Sequence, residues 1–542
     1  MPAADRAAGC DSAVRGVMFN RIFDLQRSRG YIYVAVFAAG VTTLAIEVSA
    51  LRLLGNVFGT ANFVWAAIIG AVLFYLAVGN YAGGMWADRV PSADRFYELL
   101  AWAAIATGVL PLVSRPVLLW SAAWVAQLNG AVAAGAFAGA LLLLAAPLAM
   151  LGAVTPFAVR LLLDDATQAG KVAGRVYAVS TAGSLLGCFL PVLLVIPAVG
   201  TRLTFILFAG LLVAVALGGL AARHPRRALW LLLLAVLLGG SAAWLARAPA
   251  KPVAGLQFET ESAYNLIQVV RRNGIRYLLL NEGQGIHSML DPKHAATGGT
   301  WDYFLTAPYF VERRAGASPV ERVAIVGLAA GTIARQYALA FGAVPIDGIE
   351  LDAEIVAVGR NYFELTQPNL NVIIGDGRWV LAHSSARYSV VLVDAYRLPY
   401  IPAHLTTAEF FREVKSHLAP DGALAVNVGR APKDRRLVDA IATTLASVFA
   451  SVHIMDVPRS LNSVLVATLQ PTQSTMLQRN LDALPAGADP LLRAALAAGV
   501  QALQPAAAPG MLFTDDHAPI EQLTDSILLR FLLQADGAGL DS

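Results

Sequence analysis

Apolar residues fill the first 250 positions in long runs and then break into short alternating segments. Runs of about 20 apolar residues lie at 31–53, 62–84, 97–118, 131–153, 176–197, 203–222 and 228–246. Each is long enough to cross the ~30 Å hydrocarbon core of a bilayer as a helix. The pattern predicts a basic tail at 1–30, a multi-pass α-helical membrane domain of about seven spans at 31–247 and a linker at 248–256, where Pro249, Lys251, Pro252 and Gly255 cluster. Beyond the linker the period changes. Tyr264–Val270 and Arg276–Leu280 alternate across a turn with Asn273–Gly274, a β-hairpin signal. Strands follow at Val323–Val326, from Pro345 to Glu350, and at Val372–Ile374, Ser389–Val393 and Ala423–Val428. Helical patterns open at Gly331 and cover Thr407–Leu418 and Arg435–Phe449, and two more strands lie near Val452–Met455 and Ser463–Thr468. Such alternation predicts an α/β doubly wound, mostly parallel sheet over 257–530, with a tail at 531–542.

Composition agrees with this division. Of the 542 residues, 57% are hydrophobic and 14% charged, against about 25% charged in an ordinary soluble domain. The net charge of +3 suggests no nucleic-acid surface. Cys10 and Cys188 lie in a polar tail and an apolar helix, which points to neither a disulfide framework nor a metal cluster. Residues 1–30 carry no apolar core and are not a cleaved signal peptide. Basic residues precede the first span (Arg6, Arg15, Arg21, Arg27, Arg29) and follow the second (Arg89, Arg95), fourth (Arg160, Lys171, Arg175) and sixth (Arg223, Arg226, Arg227). The positive-inside rule then places the amino terminus in the cytoplasm. The side taken by residues 257–530 depends on the span at 228–246 and stays open. Glu47, an acid in an apolar run, reads as a polar site in the bundle or, the favoured alternative, as a structural partner of Arg52 or another basic residue near the interface. The segment Gly83–Arg89, GGMWADR, is equally a loop signature of major-facilitator transporters and a small-residue helix end. The run Gly174–Gly187, GRVYAVSTAGSLLG, suits tight helix packing.

Candidate chemistry centres on Arg322–Asp352. A strand meets Gly327, a small-residue turn leads to Gly331 and a helix, and a second strand ends on Glu350. Such a unit lets a nucleotide-like ligand approach the backbone while the acid accepts hydrogen bonds from ribose hydroxyls. Asp376, in IIGDGRW, follows the third strand, where a carboxylate accepts from an adenine amino group, with Gly377 beside it. Asp394, in VVLVDAYRLP, follows the fourth, where the reactive end of a ligand emerges. Each is also a plausible helix cap, but three acids on successive strand ends form a constellation.

At this point the chain resembles the spermidine synthase (polyamine aminopropyltransferase) family, in its membrane-fused bacterial branch. ESAYNLIQVV with YLLLNEGQG resembles the family's amino-terminal hairpin, VGLAAGT its glycine loop, IELD its ribose-binding acid, GDG its adenine loop and VLVDAY its catalytic strand. FTDDHAPIE, AIEVSALRLLG, TPFAVR and GRVYAVSTAGSLLG resemble the fused branch. The resemblance implies a Rossmann-like fold shared with class I methyltransferases. It implies that Gly327, Gly331, Glu350, Asp376, Gly377 and Gln284 hold S-adenosylmethionine or its decarboxylated form, that Tyr264, Tyr396 and Asp302 meet the second substrate, and that Asp394 is catalytic, with no metal. The expected partners are a small-molecule amine or membrane-associated acceptor, the lipid bilayer and a second copy of the chain. The expected location is the bacterial inner membrane.

The chain departs from the family pattern at three places. Ala330 stands where the glycine loop usually carries an aspartate, Arg397 replaces a second aspartate, and Trp301, Asp302 and Tyr303 replace a tyrosine-and-acid cluster. A diamine needs converging carboxylates, so free putrescine fits poorly as acceptor. Two readings follow: a transferase with an atypical acceptor, or a transporter or sensor whose soluble domain binds an adenosyl or polyamine ligand without catalysis. Methyl transfer or cofactor lysis is a third.

Overall fold

A computed structural model describes residues 29–55, 62–127, 132–221, 223–246, 249, 253–281, 285–312, 320–396 and 400–535. The expected basic tail lies, apart from its last two residues, outside the described residues, as do Gln284 and Arg397. The chain forms two compact units, Met1–Lys251 and Pro252–Ser542.

The first unit is helical: α1 (Arg29–Gly55), α2 (Asn62–Arg89), α3 (Ala93–Gln127), α4 (Val132–Leu162), α5 (Ala169–Leu190), α6 (Ile196–Leu220) and α7 (Pro225–Ala246). Among the described residues six stretches are long and apolar enough to cross a membrane; the fifth, Ala166–Leu220, contains both α5 and α6. At 1.5 Å per residue its 55 residues would run about 80 Å, far beyond a bilayer core. It breaks at Gly200, whose φ of 80° and ψ of 165° are not helical. The two halves then follow α1 in opposite senses. Gly183 lies on Phe37 and Gly187 on Val41, while Tyr31 donates to the Val215 carbonyl and Phe208 packs with Val41 and Ala45. Thus α5 runs parallel to α1, and α6 antiparallel. Parallel packing also joins α2 to α4, where a Cβ on Gly79 would meet the Ala149 carbonyl at 2.1 Å and one on Gly83 would meet Ala153 at 2.4 Å. Small residues bring these backbones together because lipid supplies no hydrophobic drive for association. At one end, Asp94 and Glu98 of α3 pair with His224 and Arg227 at 3.0 Å each, which extends α3 four residues before its expected apolar run.

The second unit holds two sheets. The expected hairpin is β2 (Leu266–Arg272) and β3 (Ile275–Leu280); β1 (Leu256–Glu261) and β4 (Ile286–Leu290) extend it to an antiparallel sheet ordered β1-β2-β3-β4. The second sheet contains β5 (Val323–Val326), β6 (Ile346–Glu350), β7 (Leu370–Ile374), β8 (Tyr388–Val393), β9 (Leu418–Gly429), β10 (Ser451–Asp456) and β11 (Asn462–Thr468). Its order is β10-β11-β9-β8-β5-β6-β7, with β5 to β9 parallel and the last two antiparallel. This is the doubly wound α/β class, in which β5 and β8 are buried on both faces by apolar side chains. Two apolar clusters lie on the faces of this sheet, and a third joins the small sheet to helix Ala353–Tyr362. β9 begins at Leu418, earlier than expected, because Pro420–Gly422 sits inside an irregular stretch of strand and does not end it. The carboxyl-terminal helix Ile520–Ala535 runs into the expected tail.

The glycine contacts of α5 give a direct test. Gly187→Ala should lower the melting temperature in detergent by the equivalent of about 1–3 kcal/mol, since its Cβ would lie 2.1 Å from the Val41 carbonyl. Gly174→Ala, with open space around it, should leave the temperature unchanged or raise it. Equal losses in the two variants would contradict this packing.

Candidate active site

The parallel strands deliver their carboxyl ends to one edge of the sheet, where the acids predicted from the sequence collect. After β5 the chain turns over its neighbours. Gly327 takes φ +89°, and a Cβ there would lie 2.4 Å from the Asp394 carbonyl oxygen. Gly331 takes φ +90°, with its Cβ position 2.2 Å from Leu365. Both places demand glycine, for conformation and for space. Helix Thr332–Phe341 begins immediately afterwards.

Glu350, at the end of β6, holds this turn. Its Oε2 accepts from the Ala329 amide at 2.8 Å, and its Oε1 from the Asp352 amide at 3.1 Å. Burial raises its carboxyl above the ordinary value, and the amides of Asp352 and Ala329 oppose that. Each oxygen keeps a lone pair for a hydroxyl donor. Beside it, Leu351 is 45% exposed and Ile374, ending β7, is 49% exposed, two apolar side chains left open at neighbouring strand ends. From the other side, Ser288 of β4 accepts from the Ala330 amide at 2.9 Å. The small sheet therefore grips the turn as well. The same sheet presents Tyr264, half exposed, on a turn whose Ser262 and Asn265 donate to Asp352, Asn265 at 2.9 Å. Tyr264 is thereby fixed next to the end of β6.

Asp376 caps helix Gly377–Ala382, its Oδ1 accepting from the Trp379 amide at 3.0 Å. Its Oδ2 lies 2.9 Å from His404 Nε2. Partial burial pushes its carboxyl up, but the Trp379 amide and the His404 charge and hydrogen bond outweigh that, leaving it below the ordinary range. The cap and the open carboxylate coexist on one side chain. Gly377 must be small, because a Cβ would lie 2.4 Å from Val326.

Asp394 ends β8 and is gripped by two neutral donors. Trp301 Nε1 donates to Oδ2 at 3.0 Å and Asn427 Nδ2 to Oδ1 at 2.8 Å. Burial raises its carboxyl, and the Asn427 and Trp301 hydrogen bonds partly offset the rise. Tyr396 lies behind, its hydroxyl donating to the Asn427 carbonyl at 3.3 Å. Burial and the Asp394 charge push that phenol far up, so it is neutral at any working pH.

Asp302 behaves otherwise than expected. Both its oxygens are spent internally, accepting from the amides of Thr297 and Gly298, the Thr297 hydroxyl and Gln336 Nε2 at 2.6–3.1 Å. It fixes the loop before helix Thr300–Phe304, and Trp301 is the member of that cluster that reaches Asp394. Ala330 is also turned away: it is buried, packed with Ile267, Leu278 and Ile355. Sequence reasoning assigned no role to Asn427 or His404. A signal existed for Asn427, a lone amide in the buried apolar strand LAVNVG.

Comparison with known proteins points the same way. A profile of the spermine/spermidine synthase domain matches residues 317–479, from before β5 to after β11. A probable polyamine aminopropyl transferase of Bifidobacterium longum is 33% identical over 215 residues, covering 39% of this chain and 47% of that protein. The polyamine aminopropyltransferase 2 of Streptomyces coelicolor is 26% identical over 435 residues, 75% of each chain, so the likeness reaches into the helical unit. The chain thus spans about half the length of the first relative and three quarters of the second. With the polyamine aminopropyltransferase of a Synechococcus strain it shares 31% identity over 213 residues, 67% of that protein, and on this ground it belongs to the spermine/spermidine synthase family.

Proposed function

We propose that this protein is a membrane-anchored transferase that moves an aminopropyl group from decarboxylated S-adenosylmethionine to an amine. The observation that carries the reading is Asp394, a partly buried carboxylate held at a strand end by Trp301 and Asn427, in line with Glu350 and Asp376 on the two strands beyond β5. In this reading Glu350 accepts from the ribose hydroxyls, Leu351 and Ile374 flank the base, and Asp376 accepts from its amino group. The Gly327–Gly331 turn lets the nucleoside lie close to the backbone, with Gln284 and Tyr264 as further contacts.

The chemistry is a single in-line displacement. The acceptor nitrogen bonds to the carbon next to the sulfonium, and the carbon–sulfur bond breaks with its electron pair going to sulfur. A neutral thioether nucleoside leaves. Positive charge moves from sulfur to nitrogen, and Asp394 takes the proton that nitrogen sheds. Neutral donors suit that role, because Trp301 and Asn427 fix the carboxylate without cancelling its charge, as an arginine would. The acceptor is atypical in this reading. Ala330 faces the core where an aspartate would meet the aminopropyl amine, and Asp302 faces its own loop, so among the described residues the acceptor end keeps Asp394 as its carboxylate. S-adenosylmethionine as donor, with methyl transfer, gives a different product nucleoside, and binding without product is what a sensor would show.

Asp394→Asn should lower turnover by about 10²–10⁴ while leaving nucleoside affinity within about threefold, read by methylthioadenosine formation and by calorimetry. Near-wild-type turnover would remove Asp394 from the base role. The pH profile is a second check. The base acts only when ionised and burial raises its carboxyl, so kcat/KM should fall on acidification through a pKa above the ordinary aspartate value of about 3.9. An acid limb at or below that value would contradict the buried-base assignment.

The first unit is the anchor in the bacterial inner membrane, its basic amino terminus in the cytoplasm. The alternating sense of α1 to α7 supports an odd number of crossings, so the chain would leave α7 at the face opposite the one where α1 starts. A reporter fused after residue 255 should then be active only outside the cytoplasm. Cytoplasmic activity of that fusion would mean that one helix does not cross.

A further inference from the structure

The segment FTDDHAPIE takes no part in the mechanism above, yet it ends on the nucleoside side of the site. Phe513 is fully buried, its amide donating to Thr444 and its carbonyl accepting from the Ala408 amide at 2.9 Å. Thr514 and His517 close a tight turn with paired backbone hydrogen bonds of 3.0 and 3.1 Å. At its apex Asp515 forms a two-pronged pair with Arg378, Nη1 to Oδ1 at 2.7 Å and Nη2 to Oδ2 at 2.8 Å. Thr407 donates to Asp515 at 2.7 Å, and the Asp515 amide donates to Glu409 at 3.0 Å. Arg378 is two residues beyond Asp376, and Glu413 takes its remaining face at 2.7–3.1 Å. Its Nη1 also reaches the carbonyl of His404, whose ring holds Asp376 Oδ2. Two sequence motifs 137 residues apart thus meet in one closed circuit: Asp376, His404, Arg378 and Asp515.

We propose that Asp515 is a positioning residue for nucleoside recognition, holding Arg378 and His404 so that Asp376 presents a fixed carboxylate edge, not paired with Arg378, to the base. The inference rests on the nucleoside reading above. The physical case is one of competition. Arg378 sits two residues past the capping acid and carries a charge that two carboxylates now absorb; the fork geometry of a guanidinium makes the Asp515 pair directional as well as attractive. Without Asp515 the guanidinium keeps Glu413 and the His404 carbonyl, and the carboxylate two residues before it on its own segment is Asp376. An Asp376 paired with Arg378 would no longer distinguish a base that donates at its six-position from one that accepts there. The side chain of Arg378 is 20% exposed and those of Asp515 and Asp376 42% each, so solvent screens this competition in part and the directional fork carries the preference.

The test uses the full-length protein in detergent with two probes, methylthioadenosine and methylthioinosine, which differ by a six-amino against a six-oxo group. Wild type should bind the amino nucleoside at least about tenfold tighter, since a carboxylate facing a carbonyl loses a charge-assisted hydrogen bond. Asp515→Asn should bring the ratio to within about threefold of unity. Arg378→Lys keeps the charge but not the fork, should lower the ratio in the same direction, and serves if Asp515→Asn does not fold. A purely structural role for the turn would lower the melting temperature and leave the ratio intact. A wild-type ratio in either variant therefore overturns the proposal. Wild type that binds neither probe overturns the nucleoside reading itself, a distinct outcome.

Discussion

The carboxylate of Glu350 is the contact on which the second unit depends. One oxygen takes the Ala329 amide and the other the Asp352 amide, so a single side chain fixes both the turn after β5 and the start of the next helix. From Asp352 the constraint passes to Ser262 and Asn265, and through the Asn281 amide to β3. From the turn it passes the other way, because Gly327 lies directly against the Asp394 peptide. An acid buried this deeply is costly unless its oxygens are satisfied. Two backbone amides meet that need and leave lone pairs facing outward. The same side chain is thus a structural brace and, in the proposed reading, the receptor for hydroxyl groups.

Each strand-end acid follows this rule with a different partner. Glu350 uses amides, Asp376 uses a helix cap and an imidazole, and Asp394 uses an indole and a side-chain amide. The partners set the chemistry. Those of Asp376 hold its carboxyl low and keep it an acceptor, whereas burial raises the carboxyl of Asp394 above the ordinary value and its two neutral partners offset that only in part. In the proposed reading the division between a binding acid and a reacting acid comes from the surroundings, since the residue type is the same.

Much of this was legible in the order of residues. The strands Val323–Val326 and Tyr388–Val393 announce themselves because both faces are covered and every position is apolar or aromatic apart from Ser389. The acids stand out because each follows such a run at once. What stayed hidden is whatever depends on contacts across the chain. Trp301 meets Asp394 from 93 residues away and Asn427 from 33, pairings fixed by sheet order, which periodicity does not encode. The same holds for His404 on Asp376. The fold-back at Gly200 was legible as two apolar runs, 176–197 and 203–222, although the helix there is nearly continuous; the glycine's positive φ, and no polar loop, makes the break. Asp302 misleads for another reason. Its neighbours suggest a substrate acid, but four donors from Thr297, Gly298 and Gln336 claim it, and local sequence does not reveal how many hydrogen bonds a loop will demand of one carboxylate.

That demand bears on the acceptor. In the cluster Thr300–Tyr303 the acid turns inward and the indole outward, so the group next to Asp394 is neutral and aromatic. At the glycine turn, Ala330 is packed in the core of the small sheet, where a carboxylate would be buried among Ile267, Leu278 and Ile355. The two substitutions are consistent with each other. In the proposed reading one leaves no acid and the other turns its acid away from the end of the site where a second ammonium would lie, and each is locked by packing or hydrogen bonds that would have to be rebuilt to reverse it. A single aspartate beside an aromatic face matches an acceptor with one reacting amine better than a short diamine, whose far ammonium would be buried unpaired. In the proposed reading the nucleoside half of the site keeps its acids under tight structural control and the acceptor half has exchanged acids for apolar contact, which a change of acceptor under an unchanged displacement reaction would account for.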